Sequence, residues 1–202
     1  ISQARNGNLW VSLNGSGFAS FDKKNQKFSF FDKTNLADLA TNSILNVFED
    51  SKGLLWLGTR DEGIEIFQID KKRKLKKSEI DFSFLPKVRI NQIYEDRYNN
   101  VWIASSGGLF FYKRSESKFY SIRINTFYNS NIYLSLIENQ TGSLLVGVQD
   151  GGAYSLDLKA SQQKIPENFT FEQVKNTRNQ GITQRSVQSL YMDKDNNIWL
   201  GT

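Results

Sequence analysis

Tryptophan recurs along this chain at a nearly fixed interval, and that recurrence restricts the fold more than any other feature. Trp10, Trp56 and Trp102 stand 46 residues apart. Leu145 takes the next equivalent place 43 residues on, and Trp199 follows 54 later. A period of about 47 residues over five copies means an array of like supersecondary units, each burying its apolar face against the next.

The residues flanking each anchor repeat by physical type as well as by letter. Three places before it stand Gly7, Gly53, Asn99, Gly142 and Asn196, the two residue types that tolerate positive φ. Six places before it come Ala4, Asp50, Asp96, Asn139 and Asp193, where Asp and Asn side chains close a turn onto backbone N–H groups. Two places after it every residue is small: Ser12, Gly58, Ala104, Gly147 and Gly201. A second turn follows at Gly17, Gly63, Gly108 and Gly152.

Between the turns the pattern is that of strands. Ile44–Phe48 precedes the first turn of the second copy, Leu54–Leu57 follows it, and Ile64–Ile69 alternates apolar and polar residues. A fourth strand is predicted at Phe28–Phe31, Lys118–Ile122 and Phe169–Val174. Four short antiparallel strands per period predict an all-β chain, a β-propeller fragment of about five blades. The first and last blades are incomplete: 1–35 is a partial blade, 42–84, 88–126 and 131–175 are blades, and 185–202 is a second partial blade. Both end copies contain a second strand, so they do not complete one another. The rest of a larger ring is expected elsewhere in the parent chain, and the start at Ile1 reads as a boundary.

Composition narrows the chemistry. The chain has no cysteine and no histidine, which removes disulfide scaffolds, imidazole or thiolate metal sites and Ser-His-Asp hydrolysis. A net charge of +5 says little about partners. No apolar run approaches the ~18 residues of a membrane span, and no cofactor is expected.

Val47-Phe48-Glu49-Asp50-Ser51-Lys52-Gly53-Leu54-Leu55-Trp56-Leu57-Gly58-Thr59 resembles the two-component regulator propeller repeat, as do Ile93–Asp96 with Trp102–Phe110 and Asn196–Thr202. The fourth copy departs in having Leu145 for tryptophan, and the first in having Ser12-Leu13 for Gly-Thr. The resemblance implies the periplasmic sensor region of a hybrid two-component histidine kinase, with two seven-bladed propellers ahead of a β-sandwich, a membrane helix and the kinase. It also implies an oligosaccharide ligand, a glycan breakdown product, and a homodimer formed through the parent protein. The segment itself is then non-catalytic, without membrane contact.

In a propeller the loops between strands two and three share a face with the blade-to-blade joints, where long loops on a rigid scaffold carry recognition. Arg60, Asp61, Ser106, Gln149 and Asp150 from the loops, with Arg89 and Arg185 from the joints, are the candidate ligand-binding residues. The arginines suit a carboxylate or sulfate of an acidic sugar, and Tyr128 and Tyr133 are placed to stack on a ring or to pack between blades. The repeated tryptophans are packing residues. The Glu-Asp pairs at 49–50 and 95–96 are turn formers, and the polar column Asn46, Gln92, Ser135 and Ser189 is placed to line the central channel. The basic run Lys71–Lys77 is expected between strands three and four as a solvated edge, so nucleic acid is not an expected partner. A carbohydrate-active enzyme, lyase or hydrolase, is the alternative. Its only carboxylates on the right face are Asp61, Glu62 and Asp150. An intracellular interaction propeller ranks last, because the Gly-His…Trp-Asp signature is missing.

Overall fold

The turn that opens each copy shows how the columns work. In the computed structural model, which describes residues 1–126, 129–162, 164–175, 181 and 186–202, Asp50 Oδ1 accepts the backbone N–H of Lys52 and of Leu54, both at 2.9 Å. Asp96 and Asp193 repeat the pattern. Asn139 accepts from Ser143 in the same way. The residue that lets the chain reverse lies in the left-handed region in all five copies, at φ 85°, 84°, 64°, 92° and 66° for Gly7, Gly53, Asn99, Gly142 and Asn196. Only residues with little penalty at positive φ fit there.

Each turn joins the first and second strands of its copy, and the chain divides into two units. In the first, Ile1–Glu95, strands β1 (Ser2–Gln3), β2 (Leu9–Ser12), β3 (Phe18–Asp22) and β4 (Lys27–Phe31) pair in chain order. So do β5 (Ile44–Glu49), β6 (Leu54–Thr59), β7 (Ile64–Ile69) and β8 (Leu75–Lys77). Strand β9 (Ile90–Glu95) lies beside β5. The first two sheets bury their facing sides together: Trp10, Phe18, Leu39, Ile44, Leu55, Leu57 and Phe67 form one core, each at most 1% exposed. At roughly 1.5–3 kcal/mol for each large side chain fully buried, this layer dominates the stability of the unit.

The second unit, Asp96–Thr202, pairs β10 (Val101–Ser105), β11 (Gly108–Lys113) and β12 (Lys118–Ile122) in chain order. A four-stranded sheet of β13 (Tyr133–Glu138), β14 (Ser143–Val148), β15 (Gly152–Asp157) and β16 (Glu172–Gln173) follows, then the pair β17 (Ser189–Met192) and β18 (Ile198–Gly201). The strand expected over Phe169–Val174 shrinks to Glu172–Gln173. A helical turn, α1 (Leu158–Ser161), capped by Asp157 onto Ala160 N–H at 3.0 Å, takes part of the connection. Phe169 leaves the sheet to pack against Trp102 and Phe111, with ring centroids 6.0 and 5.5 Å away.

The tryptophans do more than pack. Each buried indole needs an acceptor, and the turn aspartate supplies it: Trp56 Nε1 donates to Asp50 Oδ2 at 2.8 Å and Trp102 Nε1 to Asp96 Oδ2 at 2.9 Å. Trp199 bonds Asp193 likewise at 2.8 Å. The exceptions obey the same rule. Where Leu145 removes the indole, Asn139 stands in place of the aspartate. Where Ala4 removes the carboxylate, Trp10 Nε1 donates instead to Glu49 Oε2 at 2.8 Å.

The Glu-Asp pairs therefore divide two tasks, which corrects their reading as turn formers. The aspartate closes its own turn, while the glutamate, on the opposite side of the strand, reaches the turn of the preceding sheet. Glu95 accepts Ser51 N–H and Oγ–H, both at 2.7 Å. Glu138 accepts Arg97 N–H at 2.9 Å and also pairs with its guanidinium. Glu49 accepts the Arg5 backbone N–H. It also holds Arg73 through two bonds of 2.9 and 3.1 Å, and the Arg73 guanidinium lies 5.3 Å from the centre of the Trp10 ring.

The polar column likewise joins sheets. Asn46 Nδ2 donates to Ile90 O at 2.9 Å and Ser135 Oγ to Val187 O, just ahead of β17, at 3.2 Å, so these side chains bind the backbone of the next copy. The small column makes room for them, since a Cβ on Gly147 would collide with Ser135 Oγ and lie 2.5 Å from Val187 O. The basic run is also placed differently from expectation. Asp70 closes a tight turn onto Lys72 and Lys74 N–H at 2.8 Å each, so the fourth strand begins at Leu75, inside the run. Arg73 and Lys77 meet the buried Glu49 and Glu65.

Candidate functional site

Within each unit, the described loops between strands two and three are pinned by blade-to-blade joints. In the first unit Gly17 N–H donates to Asn42 O at 2.8 Å, and Asn14 bridges to Ser43. Arg60 extends the contact: its backbone N–H donates to Ser43 O at 3.0 Å and its Nη2 to Asn14 Oδ1 at 2.9 Å. The exposed guanidinium thus spans the loops of two sheets. Asp61 is exposed beside it. Glu62 Oε2 pairs with Lys87 Nζ at 2.7 Å, holding the loop to the following joint and raising the lysine's pKa. Arg89 is exposed, with its Nε donating to Asn91 Oδ1 at 3.1 Å.

One buried carboxylate supports this face from below. Glu65 is 2% exposed, and its two oxygens each lie 3.1 Å from Ala40 N–H, which fixes the joint between the first two sheets. Burial raises its pKa, against the opposing pull of the Ala40 N–H and the Lys77 ammonium. Neither the position nor the role was legible beforehand, because Glu65 sits in a strand whose alternation marks it merely as polar.

In the second unit the loop at Ser106 and the loop at Gln149–Asp150 meet the same joint segment. Asn131 Nδ2 donates to Gly107 O at 2.9 Å, next to the half-buried Ser106. Gln149 N–H donates to Ile132 O at 2.9 Å. Asp150 turns the other way: its N–H donates to Ser186 Oγ and that hydroxyl to Asp150 Oδ1, both at 3.0 Å. Glu62 and Asp150, two of the three carboxylates considered for hydrolysis, are therefore engaged in holding loops. Arg185 and Tyr128 lie outside the described residues.

Ser121–Ile124, Asn129–Asn131 and Tyr133 line a cleft of about 300 Å³. Its lining carries one formal charge, the exposed Arg123, together with Ser121, Asn129, Ser130 and Asn131. Tyr133 borders the cleft but is fully buried, with its hydroxyl accepting Ile124 N–H at 3.3 Å. It offers no free ring face and packs, the second of its two expected roles. Its pKa is raised by burial, with the Ile124 bond and the nearby Arg123 charge acting in the other direction. Arg123 escaped sequence reasoning, because nothing in its strand-end position distinguishes it from a solvated arginine. Among the described residues no group of three acidic side chains is placed to hold a metal ion, and no helix is long and apolar enough to cross a membrane.

Antiparallel sheets of up to four strands in series, with side chains of one sheet bonded to the backbone of the next, define a β-propeller fragment. Three stretches of the chain, residues 38–61, 85–107 and 181–202, match the model of the two component regulator propeller family. The fold is shared with the extracellular domain of BT3049 of B. thetaiotaomicron, described as a hybrid two component system. The TM-score is 0.75 at 22% identity, over 100% of this chain and 25% of that one. The extracellular domain of BT4673 of the same organism, described as a one component system, gives 0.70 at 22%, over 99% and 25%. PorZ, a surface component of the type-IX secretion system of Porphyromonas gingivalis, gives 0.65 at 16%, over 97% and 29%. The chain thus spans about a quarter of the length of the first of these structures. No curated protein matches it.

Proposed function

We propose that this chain is part of the extracytoplasmic, ligand-sensing propeller region of a membrane-bound two-component sensor kinase. Its ligand is a glycan breakdown product and its compartment the periplasm. The segment binds without catalysing, and it works as a homodimer through the parent protein. The observation that carries this reading is the threefold match to the two component regulator propeller repeat. The likeness in fold to extracellular domains of two-component systems supports it. A face of loops pinned by joints is suited to binding, since little ordering entropy remains to be lost when a ligand arrives.

The test uses the complete protein in membranes, supplied with a panel of oligosaccharides. Binding of one class, with a change in kinase autophosphorylation and no change in the sugar, is the expected result. Cleavage of the sugar would replace this reading with a carbohydrate-active enzyme, and binding without any change in kinase output would remove the sensing role.

A further inference from the structure

The joint between β12 and β13 holds a cleft whose chemistry is one-sided. Among the described residues its lining includes no carboxylate, and its one formal charge is Arg123. Among the described residues that guanidinium has no carboxylate partner, in contrast with Arg73 and Arg97, which are paired with Glu49 and Glu138. Hydroxyl and amide residues share the lining with it: Ser121, Ser130, Asn129 and Asn131. Asn131 is oriented by its bond to Gly107 O at 2.9 Å, which leaves its Oδ1 as an acceptor. Two of these residues are also held by Thr126, with Ser130 N–H donating to Thr126 Oγ1 at 2.7 Å and Asn129 N–H to Thr126 O at 3.1 Å. A volume of about 300 Å³ stands at the lower end of small-molecule sites, so it takes one ring-sized unit and not an extended chain.

We propose that this cleft is an anion subsite, in which Arg123 binds a carboxylate or sulfate carried on a sugar ring and the surrounding amides and hydroxyls bind the ring's hydroxyl groups. A guanidinium presents two parallel N–H donors to such an anion, and amide groups that both donate and accept match vicinal hydroxyls. The inference rests on the glycan reading above and narrows it to acidic glycans.

The experiment is titration calorimetry on the complete protein with glucuronic acid, a sulfated glucose, glucose and inorganic sulfate. The acidic sugars are expected to bind at least about tenfold more tightly than glucose. Arg123→Ala should remove that preference, and Arg123→Lys should keep part of it, as a point charge replaces a fork. Lys24→Ala, which removes the same charge from an exposed turn, should leave binding unchanged. Equal binding of glucose and glucuronic acid, or an Arg123→Ala variant that binds like the parent, overturns the proposal. So does inorganic sulfate binding as tightly as the sulfated sugar, which would assign the cleft to free anions. If neutral glycans change kinase output independently of Arg123, this inference fails and the sensing reading stands. If acidic sugars bind through Arg123 without altering output, the subsite stands and the sensing reading fails.

Discussion

A buried indole N–H and a buried carboxylate are each destabilising alone, and this chain resolves both by placing them six residues apart across a turn. Asp96, 4% exposed, accepts the backbone N–H of Tyr98 and Asn100 with one oxygen and Trp102 Nε1 with the other, while Asn100 Nδ2 lies 3.5 Å from both. Burial raises its pKa, and the Trp102 and backbone bonds pull in the opposite direction. Replacing it by asparagine keeps the turn acceptor, as Asn139 shows, but turns an amide donor toward the indole. Asp96→Asn should therefore cost about 1–3 kcal/mol while Trp102 is present, and markedly less in a Trp102→Leu background. Urea denaturation of the four members of that double-mutant cycle measures the difference. Additive effects would show that the two columns are independent.

Between elements, two glutamates with opposite pKa shifts make opposite predictions for pH. Burial by itself would raise the pKa of Glu49, but the Arg73 guanidinium, the Trp10 indole and the Arg5 N–H outweigh it and hold the group below its usual range. Its contribution is complete above the ordinary value of about 4.5 and is lost as pH falls through the depressed folded value. Glu49→Ala strands Arg73 and Trp10. Because the Arg73 side chain is 37% exposed, the loss at pH 7 should fall toward the lower end of ~3–5 kcal/mol, and the deficit should shrink in acid. Glu65 behaves in reverse. Its folded pKa is raised, so the folded state retains a proton that the unfolded chain releases, and stability falls as pH rises from about 4.5 through the folded value. Relative to the parent, Glu65→Gln should gain stability steadily across that window. Urea midpoints taken as a function of pH test both, and parallel curves for parent and variant would contradict either prediction.

For the molecule as a whole, exposed aromatic faces govern behaviour in solution. Phe28 and Phe30 are 53% and 58% exposed on β4, which among the described residues pairs only with β3, and their rings stack at 5.8 Å. An apolar edge strand is a template for association. The chain expressed by itself should self-associate, and Phe28→Thr with Phe30→Thr should reduce this without a large fall in Tm, since threonine suits a strand. Light scattering would show it, and unchanged association would place the sticky surface elsewhere.

Much of this organisation was legible in the sequence. The turns were, because Asp, Asn and Gly act through local backbone geometry that spacing alone records. The propeller repeat was, because a side chain recurring at one point of every blade must serve a common purpose. The Asp–Trp bond could have been read from the joint change to Asn139 and Leu145. Other features could not. Trp199 makes the same bond to Asp193 as its counterparts make to theirs, yet it is 60% exposed where Trp10, Trp56 and Trp102 are at most 1% exposed. Burial belongs to the neighbouring sheet and not to the turn. Glu49 reaching Trp10, Glu65 fixing Ala40 and Arg123 entering a cleft all join residues through packing between sheets or along a joint. Local propensity determined where this chain turns and pairs, because those choices involve neighbours in sequence. Which charges are paired, buried or left facing a cleft was decided only by the tertiary structure, because the partners come from distant segments.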